Sequence, residues 1–223
     1  SDVATEAAKR AVAAAGIDPE RLGILINTSV CRDYIEPSTA CLVHGNLGLP
    51  ATCMNFDLGN ACLGFINGMD MVGNMIERGQ VDYGVVVDGE SSRLVTERTV
   101  ERLRRPDVDE LTFRSNFASL TLGSGAAAMV LGRSDLHPEA HPFLGGVNQA
   151  ATEHNRLCFG QMDHMVTDTR SLLVAGLGLA ARTWQKATEE LGWKVEDLDW
   201  SVLHQVSKSH TEKLAELLGL DLA

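Results

Sequence analysis

The residues best able to do chemistry in this 223-residue chain are its cysteines, and Cys62 has the most informative setting. It follows the turn Gly59-Asn60-Ala61 and stands where a helix should begin. Asn67, Asp70, Asn74 and Glu77 form one polar stripe at helical spacing in a stretch that is otherwise apolar or glycine, which predicts a helix buried on nearly every side. Unpaired N–H groups and the positive end of the helix dipole favour a thiolate at such a start, lowering the thiol pKa from its usual ~8.5. That is the setting of an activated nucleophile. The competing account is a buried structural cysteine, the commonest role of the residue type, which Cys41 and Cys53 suit better. With Cys31 and Cys158 the thiols number five, scattered and without the Cys-x-x-Cys spacing of zinc or redox sites, so reduced thiols are expected.

His204 comes next. It ends an apolar run (Ser201–Leu203) and precedes a helix that could start at Ser207 or at Ser209, the latter with Glu212 placed for a capping box. The positive end of that helix disfavours imidazolium, so a histidine there stays neutral and donates a hydrogen bond to a developing oxyanion. A half-buried histidine bonded to backbone is the plainer alternative. His44, His137, His141, His154, His164 and His210 have less distinctive settings, and no pair has the spacing of metal ligands on one helix. Glu36 stands before Pro37 at an expected helix start. An acid there is favourable for the dipole alone, yet a loop ending in a carboxylate could also deliver a general base to a distant site.

The elements positioning these residues read as layered α/β. Alanines at 4, 7, 8, 11 and 15 predict a helix over residues 2–15 that Ser1-Asp2 can cap and Gly16 can end. Leu22-Gly23-Ile24-Leu25-Ile26 is apolar without alternation, the pattern of a strand covered on both faces of a parallel sheet. Tyr83–Val87 and Ser201–Leu203 read alike, Thr52–Leu58 is a further strand, and helices alternate with them.

A weak repeat joins the two ends of the chain. Gly16-Ile17, Glu20 and Leu22 match Gly192-Trp193, Glu196 and Leu198 at equal spacing, and both copies run on to a similar helix end, Leu47-Gly48-Leu49-Pro50 and Leu218-Gly219-Leu220-Asp221. The offset is 176 residues at the first glycine (192 minus 16) and 171 at the last (219 minus 48), which leaves five extra residues in copy one. The loop Cys31-Arg32-Asp33-Tyr34-Ile35-Glu36 is their natural place. Chance similarity of two short αβ units is the competing account. A genuine second copy would stop early, and the sequence then reads as an internal fragment of a longer protein.

Composition narrows the partners. A formal net charge of −11, from 19 Lys+Arg against 30 Asp+Glu, with no long basic run argues against a nucleic-acid face. Arg102, Arg104 and Arg105 form the densest basic cluster, which reads as a solvated helix end. No apolar stretch reaches the ~20 residues of a membrane span and no basic-then-apolar leader opens the chain, which makes the cytoplasm the expected compartment.

The segment Asp57-Leu58-Gly59-Asn60-Ala61-Cys62-Leu63-Gly64-Phe65 resembles the nucleophile segment of the thiolase superfamily, in its ketoacyl-ACP synthase III-like branch. Arg32-Asp33-Tyr34-Ile35-Glu36-Pro37-Ser38-Thr39 and His204-Gln205-Val206-Ser207 resemble the bacterial enzymes that condense two long-chain acyl-CoA thioesters head to head in olefin biosynthesis. The resemblance implies a thiolase-like five-layer αβαβα fold of two similar halves, with residues 1–115 and 116–223 as parts of the N-terminal and C-terminal halves. It implies that Cys62 is the acylated nucleophile, His204 the active-site histidine and Glu36 a base supplied by a neighbouring subunit. The implied function is a non-decarboxylative Claisen condensation of long-chain acyl-CoA by a homodimer, with no metal or redox cofactor and CoA as part of the substrate. A decarboxylating 3-oxoacyl-ACP synthase III and a non-catalytic acyl-binding subunit of the same fold are the alternatives. The active-site asparagine of the family has no counterpart within these residues.

Overall fold

Glycines in the left-handed region stop the helices where the sequence predicts. In the computed structural model, which describes residues 1–161 and 163–222, α1 (Asp2–Ala15) ends at Gly16 with φ 64°. Helix α2 (Thr39–Leu47) ends at Gly48, also at φ 64°. Strands β1 (Leu22–Asn27) and β2 (Met54–Asp57) and helix α3 (Gly64–Glu77) follow the expected order. Next come β3 (Tyr83–Glu90), α4 (Arg93–Leu103), α5 (Glu110–Asn116) and β4 (Gly125–Gly132). The remaining elements are β5 (Cys158–Gly160), β6 (Met165–Thr167), α6 (Thr169–Leu191) and α7 (Lys208–Leu218).

Residues Ser1–Leu94 and Leu122–Gly145 form one compact unit, and Val95–Thr121 with Gly146 onward form another. The first contains a mixed sheet of order β2-β1-β3-β4, in which β1 runs parallel to β2 and β3 while β4 runs antiparallel to β3. Successive side chains alternate between two apolar clusters. Leu25, Val85 and Val87 face α1 and α2 through Ala4, Ala8, Val12 and Val43. Ile24, Ile26 and Val86 face α3 through Val72. Both faces being covered explains why β1 and β3 read as unbroken apolar runs.

Helix α3 comes close to the sheet because Gly68 has no side chain: a Cβ there would lie 2.8 Å from Val86 Cγ1 and 3.3 Å from Thr28 Cγ2. Gly68→Val is therefore expected to destabilise the protein by about 1–3 kcal/mol through overpacking, read as a lowered denaturation midpoint. The helix is less enclosed than the sequence predicts. Ile66 and Met71 are exposed, since only the flank carrying Gly64, Gly68 and Val72 is buried.

In the second unit β5 and β6 form an antiparallel pair. Arg102, in the last turn of α4, donates to Asn116 Oδ1 at 2.8 Å and to the Asp163 carbonyl at 3.2 Å. It thus ties α4 to α5 and to the β5–β6 turn rather than ending in solvent as the sequence suggests.

The repeat has a structural counterpart. Gly192 and Gly219 are left-handed helix ends at φ 68°, as Gly16 and Gly48 are. Each first glycine leads to a short 3-10 turn, Pro19–Arg21 in one copy and Val195–Asp197 in the other. The copies diverge at the strand. Residues 201–203, expected to match β1, form no strand, and Val202 is 95% exposed. The local chain signals that stop a helix survive alone, whereas a strand needs a neighbour to pair with.

Candidate active site

Cys62 sits in a 3-10 turn (Ala61–Leu63) that runs directly into α3, so its thiol lies within one turn of the helix start, as predicted, and it is exposed. The residue before it is unusual. Ala61 has φ 44°, the left-handed region that an alanine Cβ disfavours by about 1–2 kcal/mol. The turn is held from both sides: Leu63 N donates to the Asn60 carbonyl at 3.0 Å, and Asn60 Nδ2 donates to Asn67 Oδ1 on the first turn of α3. Strain of this kind persists only where its surroundings impose it, and it concentrates at functional turns. Ala61→Gly is expected to relieve it, raising stability by about 1 kcal/mol. A thermal midpoint that falls instead of rising would count against strain at this position.

The five thiols now separate. Burial pushes the Cys53 thiol up to about 11. Cys31 is also pushed up to about 11, by burial first and then by its hydrogen bond with Glu90. Both therefore stay protonated near neutral pH. Cys41, expected to be structural and buried, is exposed on the outer side of α2, while Cys158 Sγ lies 3.3 Å from Thr167 Oγ1.

Glu36 is exposed at the end of the loop between β1 and α2. That loop is fixed at both ends, and in the middle Asp33 accepts from the Ser1 amino group at 2.7 Å while the apolar side chains stand out. At its start, the Val30 and Cys31 amides donate to the Glu90 carboxylate. At its finish, Ser38 Oγ accepts from Cys41 N at 3.1 Å, and the Thr39 and Ala40 amides donate to the Asp57 carboxylate at 3.0 and 2.8 Å. Between them Tyr34 and Ile35 are 60% and 90% exposed. An acid near the start of α2 is thus present, but Asp57 fills that place, which leaves Glu36 outside the cap.

Sequence reasoning passed over the polar floor beneath this loop. At the carboxyl ends of β1 and β3, Asn27, Thr28 and Ser29 are buried. Thr28 Oγ1 donates to Asp88 Oδ2 at 3.0 Å. Burial nevertheless holds the Asp88 carboxyl above the usual carboxylate range, and the charge of Glu90 adds to this. The available signal was a set of polar residues ending apolar strands, together with an aspartate at the end of β2, where strand formers are the norm.

His204 belongs to the second unit and is exposed three residues before Ser207. Ser207, rather than Ser209, caps α7, its Oγ accepting from His210 N at 3.2 Å. Glu212 pairs with Lys208 at 3.8 Å instead of closing a capping box. The neighbouring His210 is held below the usual imidazole range, by burial first and then by His204. A surface depression of about 420 Å³ lies elsewhere in this unit, lined by His154, Leu157, Arg170, Ser171, Val174 and Ala175. It includes none of the three predicted residues. Among the described residues no group of three His, Cys, Asp or Glu is placed to hold a metal ion, and no helix is long and apolar enough to cross a membrane.

Comparison with known proteins agrees with this architecture. Residues 56–147, from β2 through the Cys62 turn to just beyond β4, match the family described as 3-oxoacyl-[acyl-carrier-protein (ACP)] synthase III. The whole chain is 56% identical to an acyl-CoA:acyl-CoA alkyltransferase of Xanthomonas campestris, of which it spans 66%. With 99% of its length it is 35% identical to the enzyme of the same name from Shewanella oneidensis, again spanning 66% of it. Crystallised Xanthomonas campestris OleA with bound lauric acid and lauroyl-CoA superposes with a TM-score of 0.96 at 55% identity, over 99% of this chain and 65% of that one. The α/β fold is thus thiolase-like, and the chain belongs to the 3-oxoacyl-ACP synthase III-like branch of the thiolase superfamily.

Proposed function

We propose that these residues carry the nucleophile, base and imidazole of an acyltransferase that joins two long-chain acyl-CoA thioesters head to head without loss of CO2, as in olefin biosynthesis. In the first step the Cys62 thiolate attacks the carbonyl carbon of one acyl-CoA. The C–S bond to CoA breaks, and CoA leaves as the free thiol with a proton from solvent. In the second step Glu36, supplied by the partner subunit of a homodimer, removes the α-proton of a second acyl-CoA. His204 donates a hydrogen bond to the enolate oxygen. The carbanion attacks acyl-Cys62, the Cys62 thioester breaks, and a 2-alkyl-3-oxoacyl thioester forms. No metal or redox cofactor takes part in these steps, CoA being part of the substrate. Acyl-CoA as substrate places the reaction in the cytoplasm.

The observation that carries this reading is the Cys62 turn: an exposed thiol, a strained residue before it and a helix start beneath it. Spacing supports it. Glu36 and Cys62 are 26 residues apart (62 minus 36), and Cys62 and His204 are 142 apart (204 minus 62). The crystallised variants of Xanthomonas OleA alter a glutamate, a cysteine and a histidine at those same two separations. The unpacked Tyr34-Ile35 stretch supports a homodimer, since it offers apolar surface for a second copy beside the carboxylate that would act across the interface.

The family match favours one second reading, a decarboxylating 3-oxoacyl-ACP synthase III, in which CO2 loss generates the carbanion and no glutamate is needed. Incubation with myristoyl-CoA alone, followed by intact-mass and product analysis, decides between them. A hydroxylamine-labile acyl adduct with a condensed C28 product supports the proposal. An adduct that condenses only when malonyl-ACP is added, with release of CO2, supports the second reading. No adduct at all leaves a non-catalytic acyl-binding subunit.

A further inference from the structure

Asp57 does more than end a strand. Its Oδ2 accepts from the Thr39 amide at 3.0 Å, and its Oδ1 accepts from the Ala40 amide at 2.8 Å and from Asn27 Nδ2 at 3.0 Å. Asn27 Oδ1 in turn accepts from Ser29 Oγ at 2.7 Å, and Ser29 Oγ accepts from the Gly89 amide at 2.8 Å. The chain of bonds runs from β3 through β1 to β2 and on to the first turn of α2. Asn27 and Ser29 are buried, so the bond between them is shielded from water while the other links are partly buried, and removing a buried partner leaves the other unsatisfied. At one end of β2, Cys62 comes five residues after Asp57. At the first turn of α2, Asp57 holds the amides three and four residues after Glu36.

We propose that Asp57 is a positioning residue which, through the first turn of α2, fixes the last part of the loop that presents Glu36, in register with the strand leading to Cys62. The proposal rests on the reading of Glu36 as the base of the condensation step. Carboxylate geometry is required rather than mere polarity. Three donors converge on two acceptor oxygens, and an asparagine would turn one of those acceptors into a donor facing an amide. The loop end would then move, and a displacement of about 1 Å at a base can cost about 100-fold in rate. Cys62 acylation needs no base on the loop and should be spared.

The test is a double-mutant cycle on the protein with myristoyl-CoA, reading condensation by product mass and Cys62 acylation by intact mass. Asp57→Asn is expected to lower condensation by about 10- to 100-fold while acylation changes by less than about 3-fold. In a Glu36→Gln background the same substitution should change the residual condensation by less than about 2-fold, because its effect passes through Glu36. Equal losses in both backgrounds, or acylation falling in parallel, would overturn the proposal. Full condensation by Glu36→Gln alone would instead refute the base reading, a separate outcome visible before Asp57 is touched. Should Asp57→Asn fail to fold, Thr39→Pro removes one of the held amides directly: Thr39 is the first residue of α2, where proline is tolerated, and Ser38 before it is already extended at ψ 151°. It should show the same pattern at about 3- to 10-fold, and unchanged condensation in that variant overturns the proposal.

Discussion

Alanine in place of Cys62 is expected to abolish the hydroxylamine-labile acyl adduct and to reduce condensation by at least about 1000-fold. A methyl group cannot attack a thioester, and the remaining donors can only orient a substrate that has nowhere to transfer its acyl group. The other cysteines make this a sharp test. Cys31 and Cys53 have thiols pushed up to about 11, so near neutral pH they supply almost no thiolate. An adduct persisting in Cys62→Ala would therefore have to sit on exposed Cys41 or Cys158, and peptide mapping would show which. Either result would remove the nucleophile from the Cys62 turn and with it the proposed chemistry.

Glutamine in place of Glu36 should leave the Cys62 adduct intact and slow condensation by about 100- to 10,000-fold, the usual contribution of a general base. Shape and exposure are conserved in this substitution, so folding should be unaffected; only proton abstraction is lost. Subunit exchange extends the test. Glu36→Gln retains Cys62, and Cys62→Ala retains Glu36. If the base crosses a dimer interface, a 1:1 mixture should recover roughly a quarter of wild-type condensation, since half the dimers are mixed and each has one complete site. Recovery with neither variant active alone supports the partner-supplied base. A mixture that stays inactive although the subunits exchange would confine Glu36 to its own subunit.

Much of the first unit was legible in the sequence because its signals are local. Unbroken apolar runs marked β1 and β3, and glycines marked helix ends in both units, 16 and 48 in the first and 192 and 219 in the second, each confirmed by a left-handed φ. The helix start below Cys62 followed from the polar stripe of α3. What was not legible depended on distant contacts. Residues 201–203 carry the composition of a strand, but composition supplies no hydrogen-bond partner, and the segment forms no strand and leaves Val202 exposed. The composition of α3 predicted burial on nearly every side, yet only the flank carrying Gly64, Gly68 and Val72 is buried. At the site, Cys62 and Glu36 were readable as types in suggestive positions, whereas the strain at Ala61 was not. Alanine has no preference for positive φ, and only the surrounding hydrogen bonds reveal why it adopts one. Asp57 was readable in principle, since an acid in a strand wants an explanation, but its role needed the α2 amides to be in view.

The grip of Asp57 on the Thr39 and Ala40 amides also sets a leash length. The first held amide, that of Thr39, comes three residues after Glu36, and three residues span at most about 10–11 Å when fully drawn out. The carboxylate can therefore sweep only a small sphere around a fixed anchor, whatever the limb from Cys31 to Ile35 does. Residues added to or taken from that limb alter its bulge but not this radius. One residue inserted between Glu36 and Ser38 lengthens the leash itself by about a third, so natural variation in loop length should accumulate upstream of Glu36 and stop there.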